Sequence, residues 1–559
     1  MMEGSVEQTD SGGLHVQSHL GHFSLCRNNS KLETFLKRHS HRDVHERIHY
    51  YESCVVVSEE LDKVFLHVLL TDDSIYLSEY QPRTLSRALH FSLILYIQLL
   101  SVNDLPDFLS GKDQEQSLHI RIVHTHAKDA GKNGSKVRGS VLTKPWSAAK
   151  PSEQDHHRHG CSPGGISEVL LGPDRRTSPA SNREDGNEHK SARKSKKKSC
   201  VLARLKQRPA GDNEKKKEEE EMNEAVLHLY SVMLSSQIYV HLRRSWSCYI
   251  MRSTLMLGTC TVPSSPSTKK YKHRISWERT CHLFSQLSGE LLQDEVSLES
   301  LYLLLQELCA AARHNPAIKT LFWRSPELYS FLVRRLAESL QDRLHTADRL
   351  LLSTLVVQTI SLMLGETEKG AARFSALTSK QGSVTADLLL ALVCDPELKP
   401  YNCNSTSHTE LQILQAEYLD AAVVLLFELV MFCQEVSRMQ NVGHFLTVSW
   451  VLQTLKSHPF FLLFMAYQAQ RVVLALSFLS ESPLSPSQAV LLYQRCNLLL
   501  TCMQHNPCVN TYIIKELKEE FRYYVRQSGL EDKLPLHYPI SRPAQHLLSQ
   551  LLSLVLDKP

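Results

Sequence analysis

No P-loop, no GxGxxG after a strand, no HExxH, no GxSxG and no kinase motif set occurs in this chain of 559 residues. Each of those patterns holds a phosphate, a metal or a nucleophile in a working geometry. Without them an enzyme reading has no residues to carry it, and no cofactor is expected. The 14 cysteines include no CxxC pair, which removes the common zinc and dithiol spacings. Cys309, Cys433, Cys496 and Cys502 sit inside helical apolar patterns, where a thiol behaves as a small hydrophobe. Met1 to Gly21 lacks a basic segment followed by an apolar one, so no signal peptide is expected, and free thiols without one point to a reducing, cytoplasmic setting. A strong charge of either sign is also missing: the formal net charge is +4, too mild to call for a nucleic acid.

A long uncharged apolar run is absent as well. The most apolar stretch, Leu411 to Met439, is interrupted by Glu417, Asp420, Glu428 and Glu435, whereas a bilayer span needs about 20 predominantly apolar residues. Apolar residues lie on most faces of this stretch, which suits the centre of a large helical domain. The chain is therefore read as not transmembrane. Glu417 and Glu428 lie about three turns apart and are expected to face a groove or a basic partner residue.

The chain divides by composition into four parts. Residues 1–29 are polar and read as a loose N-terminus. Residues 30–126 read as a small β-rich domain. Ser30-Lys31-Leu32-Glu33 has the form of a capping box and opens a short helix. Ser53 to Ser58, Lys63 to Leu70 and Ser74 to Glu79 are strand-length runs around the turn cluster Thr71-Asp72-Asp73, and His90 to Leu99 and Ser117 to His124 are further strands. The phrase VLLTDDSIYLSE, Val68 to Glu79, resembles the strand–turn–strand of pleckstrin-homology-like barrels. That resemblance implies a closing helix, which the segment beginning near Met222 could supply. The first hairpin has no cluster of basic residues, so docking to protein is favoured over anionic lipid, which needs converging cations.

Residues 127–221 read as a disordered charged linker, too poor in apolar residues to offset its ordering entropy. His156-His157-Arg158-His159 with Cys161 has no second ligand pair at zinc spacing, so no metal is expected. A basic tract, Arg193, Lys194, Lys196, Lys197, Lys198, Arg204, Lys206 and Arg208, has the form of an import signal or an anionic-surface tether. Glu218 to Glu221 follow closely and offset its field. The expectation is a cytoplasmic protein with at most partial nuclear access.

Residues 222–557 read as all-helical, with helical patterns at Ala225 to Leu257 and then near 275–292, 296–313, 326–342, 345–364, 383–394, 408–439, 441–456, 459–480, 486–504 and 541–557. Two joints share His-Asn-Pro, His314-Asn315-Pro316 and His505-Asn506-Pro507, and Ser457-His458-Pro459 is a looser third. Asn caps the new helix and Pro at its first position loses no needed donor. Ser325-Pro326 and Ser485-Pro486 start helices by the same rule, the latter with Gln488 completing a capping box. Such joints resemble armadillo and HEAT repeats, so the block is either an irregular helical bundle or an armadillo/HEAT-like array. The fold class is mainly α with a small N-terminal β-rich domain.

The phrases NSKLETFLKRH, YESCVVVSEE, HIRIVH, LHLYSVMLSSQIYVHLRRSWSCYI and EEFRYYVR with LPLHYPIS resemble an uncharacterised vertebrate family known only by an open-reading-frame label on human chromosome 12. The likeness covers roughly 28–126 and 222–556 and implies no activity, cofactor or partner. The leading expectation is a non-enzymatic scaffold or adaptor that binds protein partners. A peripheral membrane protein binding anionic lipid is the alternative, and an enzyme hidden in a helical groove the lesser one.

Overall fold

Strand-forming residues and turn chemistry make the N-terminal sheet. Helices α1 (Ser30–His39) and α2 (Arg42–Arg47) precede strands β1 (Tyr50–Val57), β2 (Val64–Leu70), β3 (Ser74–Glu79), β4 (Leu85–His90), β5 (Ile94–Leu100), β6 (Leu118–Thr125) and β7 (Glu224–Ser231). The computed structural model describes residues 29–39, 42–59, 61–100, 118–125, 224–231, 236–259, 276–293, 296–341, 347–365, 371–396, 405–438, 445–477, 482–526 and 529–556. Met1–Ala127 and Met222–Pro559 form one unit.

The seven strands form one sheet in the order β4-β3-β2-β1-β7-β6-β5, with every pairing antiparallel. The β2–β3 turn closes as its sequence implies: Thr71 and Ser74 exchange a backbone bond of 3.0 Å, and the Thr71 hydroxyl accepts from the Ser74 N–H at 3.1 Å. Three expectations are corrected here. The cap of α1 is Asn29, whose Oδ1 accepts from the Leu32 N–H at 3.1 Å, so the helix starts one residue earlier in its capping logic than a Ser30 box requires. The run His90 to Leu99 is not one strand. Buried Phe91 begins a short 3-10 turn, Phe91–Leu93, and its N–H bonds Asp73 O at 2.8 Å, so β4 ends and β5 begins there.

The third correction is the largest. Residues Glu224–Ser231 form a strand, not the start of a helix, and this strand lies between β1 and β6. Leu229 is opposite both Val56 and Ile120, and Ala225, Leu227, Leu229 and Ser231 are all buried. That is a period of two, which pairing on both sides turns into a central strand. The all-helical reading of 222–557 fails at these eight residues, and the sheet draws strands from both sides of the 128–221 segment.

Helix α3 (Ile238–Thr259) packs on the sheet, where it meets β1, β2 and the Phe91 turn. His241 stacks on Tyr50 with ring centroids 4.2 Å apart, and Tyr249 meets Phe91 edge-on at 5.9 Å. There follow α4 (Trp277–Leu291), α5 (Leu298–His314), α6 (Ala317–Arg324), α7 (Pro326–Gln341), α8 (Ala347–Leu364), α9 (Ala371–Thr378), α10 (Ser383–Leu392), α11 (Ser405–Arg438), α12 (Val448–Lys456), α13 (Phe461–Leu476), α14 (Pro486–His505), α15 (Pro507–Tyr524), α16 (Leu530–Lys533) and α17 (Ser541–Leu556). Helix α11 packs on α3, α8, α10, α12 and α14, and α14 in turn on α3, α13, α15 and α17. In a linear repeat array each unit touches only its neighbours. Here α3 meets α14 and α17 reaches β5, so the helices form a bundle around α11 and α14.

The two His-Asn-Pro joints adopt one conformation, with Asn315 at φ −134°, ψ 104° and Asn506 at φ −134°, ψ 101°. Each Asn closes the helix before it through its N–H, at 2.9 Å in both, and caps the next through Oδ1, to Ala317 N–H at 3.1 Å and to Cys508 N–H at 3.0 Å. The joint at Ser457-His458-Pro459 differs: the His458 ring accepts from the Phe460 N–H at 3.3 Å, and α12 and α13 meet at 113°. Ser485 and Gln488 make the full capping box. Among the described residues, α8 is the one single helix long and apolar enough to cross a membrane, and 56% of that window is buried between its neighbours.

Candidate functional site

The α7 helix opens at Pro326 and buries Leu328, Tyr329, Leu332 and Leu336 against the bundle. Its other side carries Glu327, Ser330, Phe331, Arg334 and Leu340 into an open groove of about 1240 Å³. The adjoining wall is α10, which packs directly on α7, and its entry is unusual. Lys380, Gln381 and Gly382 all have positive φ, at 48°, 55° and 77°, a left-handed conformation that costs non-glycine residues about 1–2 kcal/mol each. Gly382 is required there twice over, since a Cβ would also lie 2.6 Å from the Phe445 ring. The turn sets Lys380 on the groove wall, and α10 then contributes Val384, Asp387 and Leu390.

Polar ties hold these walls. The Thr385 hydroxyl donates to Leu377 O at 2.7 Å, which leaves it to accept from the Tyr329 hydroxyl at 3.1 Å. On the α11 side, Tyr418 donates to Ala391 O and Gln415 to Asp395 O, both at 2.6 Å. Burial pushes the Tyr329 and Tyr418 hydroxyls upward, so both stay protonated as donors. Burial likewise pushes the Cys394 thiol up to about 12. That favours the thiol over the thiolate at this position.

The groove's charges are largely unspent. Glu327, Lys380 and Asp387 are exposed and make no ion pair among the described residues. Arg334 has an exposed i,i+4 contact with Glu338 at 3.7 Å, a geometry worth little, and lies over the Phe331 ring at 5.7 Å. Sequence reasoning missed all four. The only available signal was the seven-residue spacing of Glu327 and Arg334, which puts them on one helix face.

Elsewhere the buried ion pairs are structural. Asp420 pairs with Arg495, whose Nε also donates to Gln468 at 3.0 Å, joining α11, α13 and α14. Glu435 pairs with Arg244, and Glu428 adds its charge to both Arg244 and Arg373. Glu428 thus faces basic residues as expected, while Glu417 is exposed. Arg373 lies over the Phe432 ring at 4.5 Å, and burial beside Arg244 lowers its pKa to about 10. The carbonyls that end α8 are taken by Trp323 Nε1 at 2.8 Å from Met363 O, Arg373 at 2.9 Å from Leu364 O and Lys319 at 3.2 Å from Gly365 O. Cations there offset the negative end of the helix.

One row of residues has the order of a hydrolase triad. His49 Nε2 is 2.8 Å from Ser245 Oγ, and Nδ1 is 3.9 Å from Asp72. The second distance is too long for the orienting bond, and Ser245 lies within α3, where backbone N–H groups are committed to the helix. The bond ties α3 to the sheet. No group of three or more His, Cys, Asp or Glu placed to hold a metal occurs among the described residues. The basic tract from Arg193 to Arg208, and the His156 to Cys161 segment, lie outside them.

The described residues define a mixed protein, in which a seven-stranded antiparallel sheet is joined to a helical bundle with an open groove in its flank. The chain belongs to the family described as Protein of unknown function (DUF4551), whose model matches residues 26–170 and 168–554. It is similar to the human uncharacterised protein C12orf56, at 29% identity over 621 residues, covering 95% of this chain and 98% of the human protein. The mouse homologue is 34% identical over 365 residues, covering 60% of this chain and 67% of the mouse protein. No solved structure matches.

Proposed function

We propose that this protein is a non-enzymatic, cytoplasmic interaction scaffold whose helical groove binds a segment of a partner protein. The observation that carries this reading is the groove itself: about 1240 Å³, open along one side, apolar at its base and rimmed by Glu327, Lys380 and Asp387, which make no ion pair among the described residues, and by Arg334, whose only ion pair there is an exposed contact with Glu338. Small-molecule sites are typically about 300–1,000 Å³ and enclose their ligand; an open, larger trough suits a polypeptide. The sheet fits a second docking module of pleckstrin-homology-like type, supported by seven antiparallel strands in two meanders, β1–β4 and β5–β7, joined through β1 and β7 and followed by a helix that packs on them. This is an argument from architecture. The burial of α8 within the bundle supports a protein that does not span a membrane.

A photo-crosslinking residue placed at Ser330 or Ala337, on the groove wall, tests the reading in cells. The expected result is a discrete crosslinked band that is absent when the same residue replaces Lys515, exposed on α15. Equal labelling from all three positions would remove the groove from the function.

A further inference from the structure

The groove's chemistry narrows the kind of partner. We propose that it takes an amphipathic helix bearing one basic and one acidic side chain about two turns apart beside an apolar stripe. The proposal rests on the scaffold reading above and specifies its ligand.

The walls are helices, so no unpaired strand edge is offered and an extended peptide would gain no ladder of backbone bonds. The α7 wall runs from Pro326 to Gln341, 16 residues and thus roughly 24 Å at helical rise, enough to flank about four turns of a partner helix. Between the charges the half-buried Leu292, Leu340, Leu390 and Phe460 line the groove, over a base that includes Phe331, Val384 and Tyr418. These are surfaces for residues at i, i+3, i+4 and i+7 of a docked helix.

Charge then restricts the sequence. The α7 wall carries Glu327 and, seven residues on, Arg334; the α10 wall carries Lys380 at its entry and Asp387 further along. Each wall therefore presents one acid and one base, Asp395 past the end of α10 adds a further acid, and seven helical residues separate the α7 pair by about 10 Å. A helix with charges of a single sign would meet two like charges wherever it lay, which opposes binding. A helix with both signs at that spacing satisfies both ends.

The test uses the full chain and three synthetic peptides of about 18 residues, long enough for helix in solution to be marginal but present. All carry the same Leu stripe; one has Lys and Glu seven residues apart, one has Lys at both positions and one has Glu at both. Fluorescence anisotropy at low and physiological salt should show the mixed peptide binding about tenfold tighter than either uniform one. The exposed double variant Glu327→Lys with Asp387→Lys, checked for folding by circular dichroism, leaves Asp395 as the one acid among the lining residues and makes the groove strongly basic. It should shift preference to the peptide with two Glu. Binding of a uniform peptide within about threefold of the mixed one, saturation by none of them, or an unchanged preference in the double variant would each overturn the proposal. A groove-specific crosslink in cells alongside such a failure leaves the scaffold reading standing and removes only this ligand.

Discussion

Two asparagines with the same backbone conformation do the same work at distant joints. Each ends one helix and caps the next, so replacing either by Ala removes a cap worth about 1 kcal/mol. Asn315→Ala and Asn506→Ala should each lower stability by roughly that amount in urea unfolding, with an unchanged slope. Additive losses in the double variant are expected, since the joints sit on different helix pairs, α5–α6 and α14–α15. Gly382 is a sterner case. Its φ of 77° and the Phe445 ring 2.6 Å from any Cβ make Gly382→Ala cost about 2–4 kcal/mol by backbone strain and overpacking. The same measurement, with a loss below the cap variants, would refute that placement of the turn. The asparagines were legible in sequence because capping is local chemistry. Gly382 was not, because its requirement comes from an aromatic ring 63 positions along the chain.

At the scale of elements, β7 has the widest consequence. Its place between β1 and β6 means that residues before and after the 128–221 segment share one sheet. Cutting the chain within that segment at an engineered protease site should leave two pieces that co-elute on gel filtration without denaturant. Separation of the pieces would contradict the strand order. The N-terminal piece made alone leaves the β1 and β6 edges unpaired and is expected to aggregate. The sequence concealed this strand for a physical reason. Glu218 to Glu221 have high helix propensity, and the eight residues that follow are too short for periodicity to outweigh what flanks them. Only partners on both sides settle a strand of that length.

For the whole molecule, histidine titration contributes to the response to mild acid. His67, His90, His228, His458 and His546 all have lowered pKa values, with burial the first cause in each. A lowered folded pKa means that the unfolded chain binds protons more readily below about pH 6.5, so stability rises with pH across that region. The stabilisation is full above the unfolded pKa and is lost as pH falls through the folded values. Melting temperature should therefore drop between pH 7.5 and 5.5, before most carboxylates titrate. His67→Gln, which keeps a polar group near Ser53, should flatten part of that slope; an unchanged slope would assign it to other groups.

The sequence by itself determined the helices, their starts at Asn-Pro and Ser-Pro, the first hairpin and the family, because propensity, capping and turn chemistry act over a few residues and need no partner. The central helix was also legible, since Leu411 to Met439 is apolar on nearly every face and could only be surrounded. Tertiary structure decided what depends on distant neighbours: a bundle rather than an array, β7 as a strand, and Arg244, Arg373 and Arg495 as internal partners of acids and helix ends. It also decided the groove. Glu327, Arg334, Lys380 and Asp387 look in sequence like ordinary solvated charges, and only the packing of α7 and α10 beside α11 brings them around one apolar trough, because a concave surface is a property of separate elements meeting and no single segment encodes it.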